Sequence, residues 1–349
     1  MRKVEKTPAR MVEKDGTINF GTFQTPFREA NILDSPLHAS SSKVPAFWKK
    51  FRLKEWQHYG IVTPGHYIGM VIFDAKFMGI SFFYIYDRQK NTRIEYGRQV
   101  SGKSIRVASE VYQDRCFFEA EGYHLSFDNN LNEGFHRITV DIKQDKDKPA
   151  VRGEIIVHED LIRFEPLVQV SPITRCRPFY THKTAVPASG RLVVGSSEIA
   201  LKEDDCLALV DEQKTFYPYV SFWKWATAAG YTEEGRLLAF NLCQNMITDD
   251  SDANENCFWY GGKITCLKEA RFSFDDPLRP WKMRTADGRA DLTFRPVGER
   301  AESINIAGLI RSDFRQPFGY YNGTLTGEDG RVYQVRDFFG LAEHHVTRY

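Results

Sequence analysis

The sequence predicts an all-β protein made of many short strands, and three observations support this fold class. Short runs rich in Val, Ile, Phe and Tyr alternate with turn-forming segments along most of the chain. Long stretches with apolar residues at spacings of three and four are scarce, which disfavours alternating strands and helices. With 349 residues, of which 42% are hydrophobic, the chain can bury a core large enough for two domains or one large one.

The most apolar segment is YIGMVIFDAKFMGISFFYIY at 67–86, but Asp74 and Lys76 stand at its centre. Charged side chains there would be costly in hydrocarbon. We therefore predict two strands joined by a turn at 74–76, without stable membrane insertion. Further strands are expected at RIEYG, SIRVASEV, FHRITVDI, RGEIIVHE, LIRFEPLVQV, RLVVGSSEIAL, WKWATAAG, GRLLAFNL, CFWYGGKITCL and ARFSF.

The segment SPITRCRPFYTHKTAVPASG at 171–190 contains three prolines and a Ser-Gly pair, a composition typical of a connection between domains. We place the domain boundary near residue 175. The predicted organisation is a β domain over residues 1–175 followed by a second β domain over residues 176–349.

The overall charge and the cysteine content give no positive signal for a nucleic-acid, metal or disulfide-bonded class of protein. Lys and Arg total 47 against 46 Asp and Glu, so no strong overall field attracts nucleic acid or an anionic membrane. The six cysteines are dispersed without a CxxC pair, which indicates neither a zinc site nor a disulfide framework. The first residues carry no apolar signal segment, and a cytoplasmic location is expected.

Familiar catalytic motifs fail in their local context. GRQVSGKS at 97–104 matches a phosphate-binding loop, but the following residues alternate like a strand, whereas that site needs a helix there. His344 and His345 are adjacent, and neighbouring residues of a strand point to opposite faces. No GxGxxG follows a strand. We expect no metal and no cofactor.

One alternating segment, YPYVSFWKW at 217–225, has two interpretations. In a regular strand Tyr217, Tyr219, Ser221, Trp223 and Trp225 share one face. Aromatic rings with polar tips need partners when buried, so the face suits a ligand wall as well as a core.

A second segment, NENCFWYGGK, places Glu255 and Asn256 directly before an apolar strand. If extended, Glu255 shares a face with Trp259. A carboxyl group beside an indole loses hydration, which raises its pKa toward the range of a general acid. The alternative is a surface loop in which Glu255 merely precedes the strand.

Several segments together resemble a known family. They are FWKKFRLKEWQHYGI (47–61), VPASGRLVVG (186–195), YVSFWKWATAAG (219–230), AFNLCQN, NENCFWYGGK and GLAEHHVTRY. From about residue 20 to the end the chain resembles domain-of-unknown-function family 2804. That family is similar to tandem lipocalin-like (calycin) proteins of the carotenoid hydratase, tocopherol cyclase and Diels-Alderase type. The resemblance implies two consecutive lipocalin-like β-barrel or curved-sheet domains holding a hydrophobic small molecule.

The relatives imply a cofactor-independent enzyme, a lyase or hydratase, isomerase or cyclase, that acts on an isoprenoid-like or polyketide-like substrate. Glu255 is the candidate acid, with Asn256 orienting it and His182 as a third catalytic candidate. The candidate ligand-binding residues are Lys183, Tyr219, Trp223, Trp225, Trp259, Tyr321 and Asp337. The alternative function is a non-catalytic carrier or chaperone of a lipid or isoprenoid, because such barrels often only hold ligands.

A third alternative concerns WKKFRLKEW at 48–56. As a strand it places Trp48, Lys50, Arg52, Lys54 and Trp56 on one face. That face suits either a cation–π stack closing a barrel end or an interface with a partner protein. The sequence leaves the oligomeric state open.

Overall fold

The computed structural model describes residues 2–38, 44–101, 104–247, 253–306 and 310–348. Regular structure in these ranges is almost entirely β, which confirms the predicted fold class. The strands form two sheets, each built from one continuous part of the chain. Within the same ranges, no helix combines the length and apolar character needed to cross a bilayer.

The first sheet nearly closes into a barrel. Its main path has the strand order β6, β5, β4, β3, β15, β13, β11, β10, β9, β8 and β7, and β7 and β8 return to contact β4. Strands β1, β2, β12 and β14 join it at the side. The bounds are β1 (Val4–Glu5), β2 (Gly21–Phe23), β3 (Lys54–Val62), β4 (His66–Asp74), β5 (Gly79–Asp87), β6 (Thr92–Val100), β7 (Ile105–Arg106), β8 (Arg115–Ala120), β9 (Tyr123–Asn130), β10 (Phe135–Ile142), β11 (Val151–Val157), β12 (Leu167–Thr174), β13 (Arg177–Val194), β14 (Ser197–Leu201) and β15 (Leu207–Thr215).

The second sheet is a half-barrel with the strand order β19, β18, β17, β16, β24, β23, β22, β21 and β20. The bounds are β16 (Val220–Tyr231), β17 (Leu237–Asn245), β18 (Cys257–Tyr260), β19 (Lys263–Cys266), β20 (Ala270–Ser273), β21 (Trp281–Thr285), β22 (Ala290–Ile306), β23 (Ile310–Thr326) and β24 (Val332–Arg348). Short 3-10 turns occur at Ile32–Asp34 and Leu131–Glu133.

Strands β3, β4 and β5 are buried on both faces. One face lines the first barrel, where the ring centroids of Tyr59 and Phe127 are 4.9 Å apart. The other face meets the second sheet, where Tyr67 packs 5.6 Å from Phe339. A strand covered on both sides has no polar face, which explains the unbroken apolar run at 67–86. The run forms the two strands predicted, with the backbone N–H of Ala75 donating to the Met78 carbonyl in the turn.

The change from the first sheet to the second falls between Thr215 and Val220, later than the boundary predicted near 175. The proline-containing segment is not a linker, because most of it forms the 18-residue strand β13. The first half of β13 pairs with β12 and β15, and its second half pairs with β11 and β14. Pro187 lies where the partners change, so its missing N–H breaks no continuous ladder.

Residues 46–52 form helix α1 (Ala46–Arg52), so the strand predicted over 48–56 is wrong in its first part. Pro45 precedes the helix and Ala, Lys and Arg favour it. Trp48 is therefore an exposed helical residue, whereas Trp56 belongs to β3 and packs between the sheets.

The phosphate-loop match is only partly visible, since Gly102 and Lys103 lie outside the described residues. Gly97 stands inside β6, and β7 begins at Ile105. The motif is thus flanked by strands rather than followed by a helix.

The inside of the first barrel holds a buried charge network. Glu159 accepts hydrogen bonds from His136 and His182 at 2.9 and 2.7 Å, and all three side chains are fully buried. The other ring nitrogen of His182 lies 3.5 Å from Glu212, which pairs with Lys214 at 3.1 Å. Burial opposes the charge on Glu159, but the two imidazoles hold its pKa at about 2. Burial likewise opposes charge on His182, and Glu159 raises its pKa to about 10.

Replacing Glu159 should therefore destabilise the fold. Glu159→Gln leaves the buried His182 without its main counter-charge, and removing one partner of such a pair costs about 3 to 5 kcal/mol. Because the pKa of Glu159 is lowered from 4.5, its stabilisation is present above pH 4.5 and is lost as the pH falls toward 2. Urea unfolding across pH should show both effects. Glu154→Gln, in an exposed pair with Arg137 at 3.4 Å, is the control and should change little. Equal losses in the two variants would contradict the network's role.

Candidate functional site

A cavity of about 150 Å³ lies between the two sheets. Its walls come from the outer face of β3, β4, β5, β13 and β15 and from the facing side of β16, β17, β22, β23 and β24. Residues of the internal charge network and residues of the cavity wall alternate along the same strands. Strand alternation thus sends His182 into the barrel and Lys183 into the cavity.

Three aromatic rings stack along one side of the cavity. Trp56 lies parallel to Tyr217 with centroids 6.2 Å apart, and Trp223 stacks on both at 6.1 and 5.5 Å. Trp56 comes from β3 and Trp223 from β16, while Tyr217 stands in the short link between the sheets. Phe73, Phe82, Phe179, Phe314 and Trp225 extend the apolar lining. The result is an aromatic wall on this side of the cavity.

Opposite charges meet at the floor of the cavity. The Lys183 ammonium lies 2.9 Å from Asp211 and 3.3 Å from Glu255, and all three side chains are more than nine-tenths buried. It also sits 4.6 Å from the centre of the Trp225 ring. Burial opposes the charge on Lys183, but the two carboxyl groups raise its pKa. Asp211 further accepts a hydrogen bond of 3.1 Å from the Trp56 indole.

A fourth ionisable group, Glu343 on β24, is held differently. Its two carboxyl oxygens accept hydrogen bonds from the indole N–H of Trp223 and, at 3.0 Å, from the amide of Gln316. Both donors are neutral. Burial raises the pKa of Glu343 to about 7, although these hydrogen bonds and the more distant Lys183 act to lower it.

The charge count in the cavity favours protonated acids. Asp211, Glu255 and Glu343 are three buried carboxyl groups, and Lys183 is the cation in contact with two of them. The other cation in the lining, Arg300, pairs with Glu95 and Glu302 instead. One ammonium neutralises one carboxylate, so the remaining acids hold protons more tightly. Burial and Asp211 accordingly raise the pKa of Glu255 despite Lys183.

Two histidines complete the polar lining. Burial lowers the pKa of His58 to about 4, so its imidazole is neutral. Within the described residues neither ring nitrogen of His58 has a hydrogen-bond partner. Burial also lowers the pKa of His345 to about 3, and its Nε2 lies 2.7 Å from the Ser312 hydroxyl. A buried imidazole without a hydrogen-bond partner is costly, so His58 is a polar group of the lining whose hydrogen-bonding capacity the described side chains leave unused.

Four of the candidate site residues meet in this cavity, and Tyr217 of the alternating face also lines it. They are Lys183, Trp223, Trp225 and Glu255. The alternating face expected for 217–225 is present at Ser221, Trp223 and Trp225, which are buried or half-buried. Glu255 is not a surface loop residue, because only 2% of it is exposed.

Three other candidates lie elsewhere. Asn256 does not orient Glu255: its side-chain oxygen accepts the Cys243 backbone N–H, and the Glu255 carboxyl is held by Asn245 and Lys183. Adjacent residues of an extended chain diverge, so the pair cannot share a site. His182 belongs to the network inside the barrel. Tyr219 precedes β16 and is 52% exposed, because the strand starts one residue later.

The remaining three candidates lie outside the cavity lining. The Trp259 indole donates to the Glu165 carbonyl at 2.8 Å, away from the cavity. Tyr321 is fully buried in the core of the second sheet and donates to the Leu341 carbonyl. Asp337 is an exposed residue of β24 with φ 52°, at the register shift between β23 and β24, and its carboxyl accepts a hydrogen bond from the Asn322 side chain. None of these three side chains faces the cavity.

Sequence reasoning missed Glu343, His345, Asp211, Trp56 and His58 as cavity residues. A signal existed for two of them: Glu343 and His345 are two apart, so a strand presents both to one face. The neighbouring His344 points away from the cavity, toward Phe274, as the alternation of a strand predicts for adjacent residues. No local pattern identifies Trp56 as a cavity residue, because the segment 48–56, predicted as one strand, is divided between helix α1 and strand β3.

Comparison with known proteins places the chain in a family. The model of the family described as domain of unknown function DUF2804 matches residues 2–349. The chain belongs to the DUF2804 family. The family resemblance expected from the sequence is thereby confirmed. No curated protein matches this DUF2804 chain.

Two solved structures align with this DUF2804 protein at low sequence identity. The crystal structure of CghA with Sch210972 aligns with a TM-score of 0.54 and 9% identity, covering 85% of this chain and 88% of that one. Kievitone hydratase from Nectria haematococca aligns with a TM-score of 0.49 and 12% identity, covering 83% and 88%. At 9% identity the likeness to CghA concerns the fold alone, and the expected lipocalin-like architecture is confirmed.

The hydrogen bond from Trp223 gives a test of the Glu343 environment. Trp223→Phe keeps the ring but removes the N–H that stabilises the carboxylate, so the pKa of Glu343 should rise further above 7. The measurement is a pH titration of the Glu343 carboxyl by difference infrared spectroscopy against Glu343→Gln. Trp225→Phe is the matched control, because the Trp225 indole donates to Asn241. An unchanged titration in Trp223→Phe would mean that this hydrogen bond does not control the acid.

Proposed function

We propose that this protein is a cofactor-independent enzyme that protonates a hydrophobic small molecule in the cavity between its two sheets. The observation that carries this proposal is Glu343, a carboxyl group with a pKa of about 7 facing an aromatic-walled cavity. A general acid works best when its pKa lies near the working pH, because it is then both protonated and acidic enough to react. Glu343 replaces Glu255 as the leading acid.

The hydrogen bonds at Glu343 support a role as proton donor. When the acid gives up its proton, the carboxylate that forms already faces the indole N–H of Trp223 and the amide of Gln316. These preoriented donors stabilise the new negative charge without rearrangement. Glu255 is less suited, since its contact with Lys183 favours the ionised form.

The stacked rings suit the charge that develops on the substrate. Transfer of the Glu343 proton to a carbon–carbon double bond consumes the π electron pair and leaves a carbocation. The faces of Trp56, Tyr217 and Trp223 carry negative quadrupole density that stabilises such a cation. The cation then adds water, is attacked by an internal nucleophile of the substrate, or loses a proton from a neighbouring carbon to form a new double bond. In each case the proton released returns to the Glu343 carboxylate. The outcome is hydration, isomerisation or cyclisation.

The cavity size indicates how much substrate it holds. About 150 Å³ accommodates a group of roughly the size of a benzene ring. We therefore expect one ring or one branched five-carbon unit of an isoprenoid-like or polyketide-like molecule inside. A polar group of that unit would face His58 and Lys183. The structure of CghA with Sch210972 supports the capacity of this fold to hold an organic compound.

Deuterium labelling separates the enzyme from a carrier. The protein is incubated with lipid extract of its host in deuterated buffer, and mass spectrometry searches for compounds that gain deuterium. Wild-type protein should label at least one hydrophobic compound, because the exchangeable Glu343 proton is delivered to carbon. Glu343→Gln should reduce the labelling by about 10² to 10⁴-fold and still bind the compound. Glu255→Gln should reduce it less. Binding without labelling by the wild type would favour the carrier.

The pH dependence gives an independent check. Activity should fall as the pH rises through about 7, where Glu343 loses its proton. Because the folded pKa lies above the usual 4.5, the folded state binds more protons between pH 4.5 and 7, and stability falls as the pH rises through that range. Relative to Glu343→Gln, the wild type should lose up to about 3 kcal/mol there. Parallel stability curves for the two proteins would rule out the raised pKa.

A further inference from the structure

Helix α1 exposes three aromatic rings on one side. Phe47, Trp48 and Phe51 are 64%, 51% and 47% exposed. With 3.6 residues per turn they fall within a sector of about 100°, so they form one continuous apolar ridge. Single exposed apolar residues are ordinary, but three adjacent aromatic rings on one short helix mark an interaction surface.

The ridge is connected to the cavity by ring contacts. Phe47 lies 5.2 Å from Trp48, Trp48 lies 6.1 Å from Phe51, and Phe51 lies 6.3 Å from Phe77. Phe77 in turn lines the cavity, at a turn whose residues are only partly buried. The helix therefore stands beside an edge of the cavity, and apolar surface continues from one to the other.

Basic side chains surround this ridge. Lys50 and Arg52 flank the rings on the helix itself, and residues 44–54 contain no acidic residue. The hairpin turn after β12 adds Arg175 and Arg177. This turn lies near α1 because both contact the segment 33–37. The Leu37 N–H donates to the Cys176 carbonyl, and the Lys49 ammonium donates to two carbonyls of that segment. In the described part of the chain, none of these five cations forms an ion pair with a carboxylate. Lys49 and Arg52 donate to backbone carbonyls instead, Arg52 to that of Tyr217 at 3.1 Å. Burial and the nearby Arg52 lower the pKa of Arg177, as expected for crowded positive charge.

We propose that the α1 ridge docks this protein onto an anionic lipid bilayer and places the cavity edge at the membrane surface. The net charge of the whole chain is near zero, but the positive charges near α1 are concentrated beside the exposed rings. Trp and Phe rings insert at the headgroup level while Lys and Arg contact lipid phosphates, which is the composition of interfacial helices. The bilayer would hold the part of a long hydrophobic substrate for which the cavity has no room.

The dimensions of the ridge favour a membrane over a protein partner. A stable protein interface buries about 800 Å² on each partner, more than three side chains supply. Cations without a carboxylate partner would also need carboxylates from a protein that binds here. A second copy of this chain would bring its own positive charges to the ridge, and the two sets would repel each other. An anionic bilayer offers both apolar depth and phosphate charge at one place.

Vesicle flotation tests this proposal with the intact protein. Vesicles of phosphatidylcholine are compared with vesicles that also contain phosphatidylglycerol. The wild type should float with the anionic vesicles, less so at high salt because the charges are screened. The triple variant Phe47→Ser, Trp48→Ser, Phe51→Ser should bind at least about tenfold more weakly, and Lys50→Glu should also weaken binding. Ile162→Ser is the matched control: Ile162 is 89% exposed elsewhere, and its loss should change nothing.

A second readout uses tryptophan fluorescence. Lipids brominated in the acyl chain should quench the wild type when it is bound, because Trp48 enters the interface. Trp48→Phe keeps an aromatic ring, so it should still float but lose most of the quenching. The proposal is overturned if the wild type ignores anionic vesicles, if the triple variant floats as well as the wild type, or if light scattering shows a dimer that only the triple variant breaks.

Discussion

The second sheet covers the outer face of strands β3, β4, β5, β13 and β15, and the chemistry of this protein depends on that contact. A single barrel would leave this face in water, where Lys183 and Asp211 would form an ordinary surface pair. Packing the half-barrel against it removes the water, so that every charge between the sheets must find a partner or change its protonation state. The cavity, its aromatic wall and its perturbed acids all result from this one layer of burial.

The two faces of the first sheet solve the same electrostatic problem in opposite ways. Inside the barrel, Glu159 meets two imidazoles, and its pKa falls to about 2. Between the sheets, Glu343 meets an indole and an amide, and its pKa rises to about 7. Both carboxyl groups are buried, so the difference comes from the charge of the donors. The cationic imidazole of His182 produces a permanent structural anion, while neutral donors produce an acid that can give up a proton.

Much of the fold could be read along the chain. The two strands at 67–86 followed from apolar composition and the central Asp74 and Lys76, and the alternation at Trp223 and Trp225 placed both rings on one face. The predictions were wrong where the local composition is compatible with two different structures. Prolines at 171–190 suggested a linker, yet β13 accommodates them where its partners change. The residues of α1 alternate like a strand, but Pro45 starts a helix.

The sequence alone determined the strand-rich class, the family resemblance and several cavity side chains, because periodicity and residue type act over short distances. Only the tertiary structure decided which buried acid faces which donor. Glu255 and Glu343 look alike along the chain; their difference arises because β13 brings Lys183 to one, while β16 and β23 bring neutral donors to the other. Contacts between strands far apart in sequence set these partners, and a pKa depends on partners within a few ångströms.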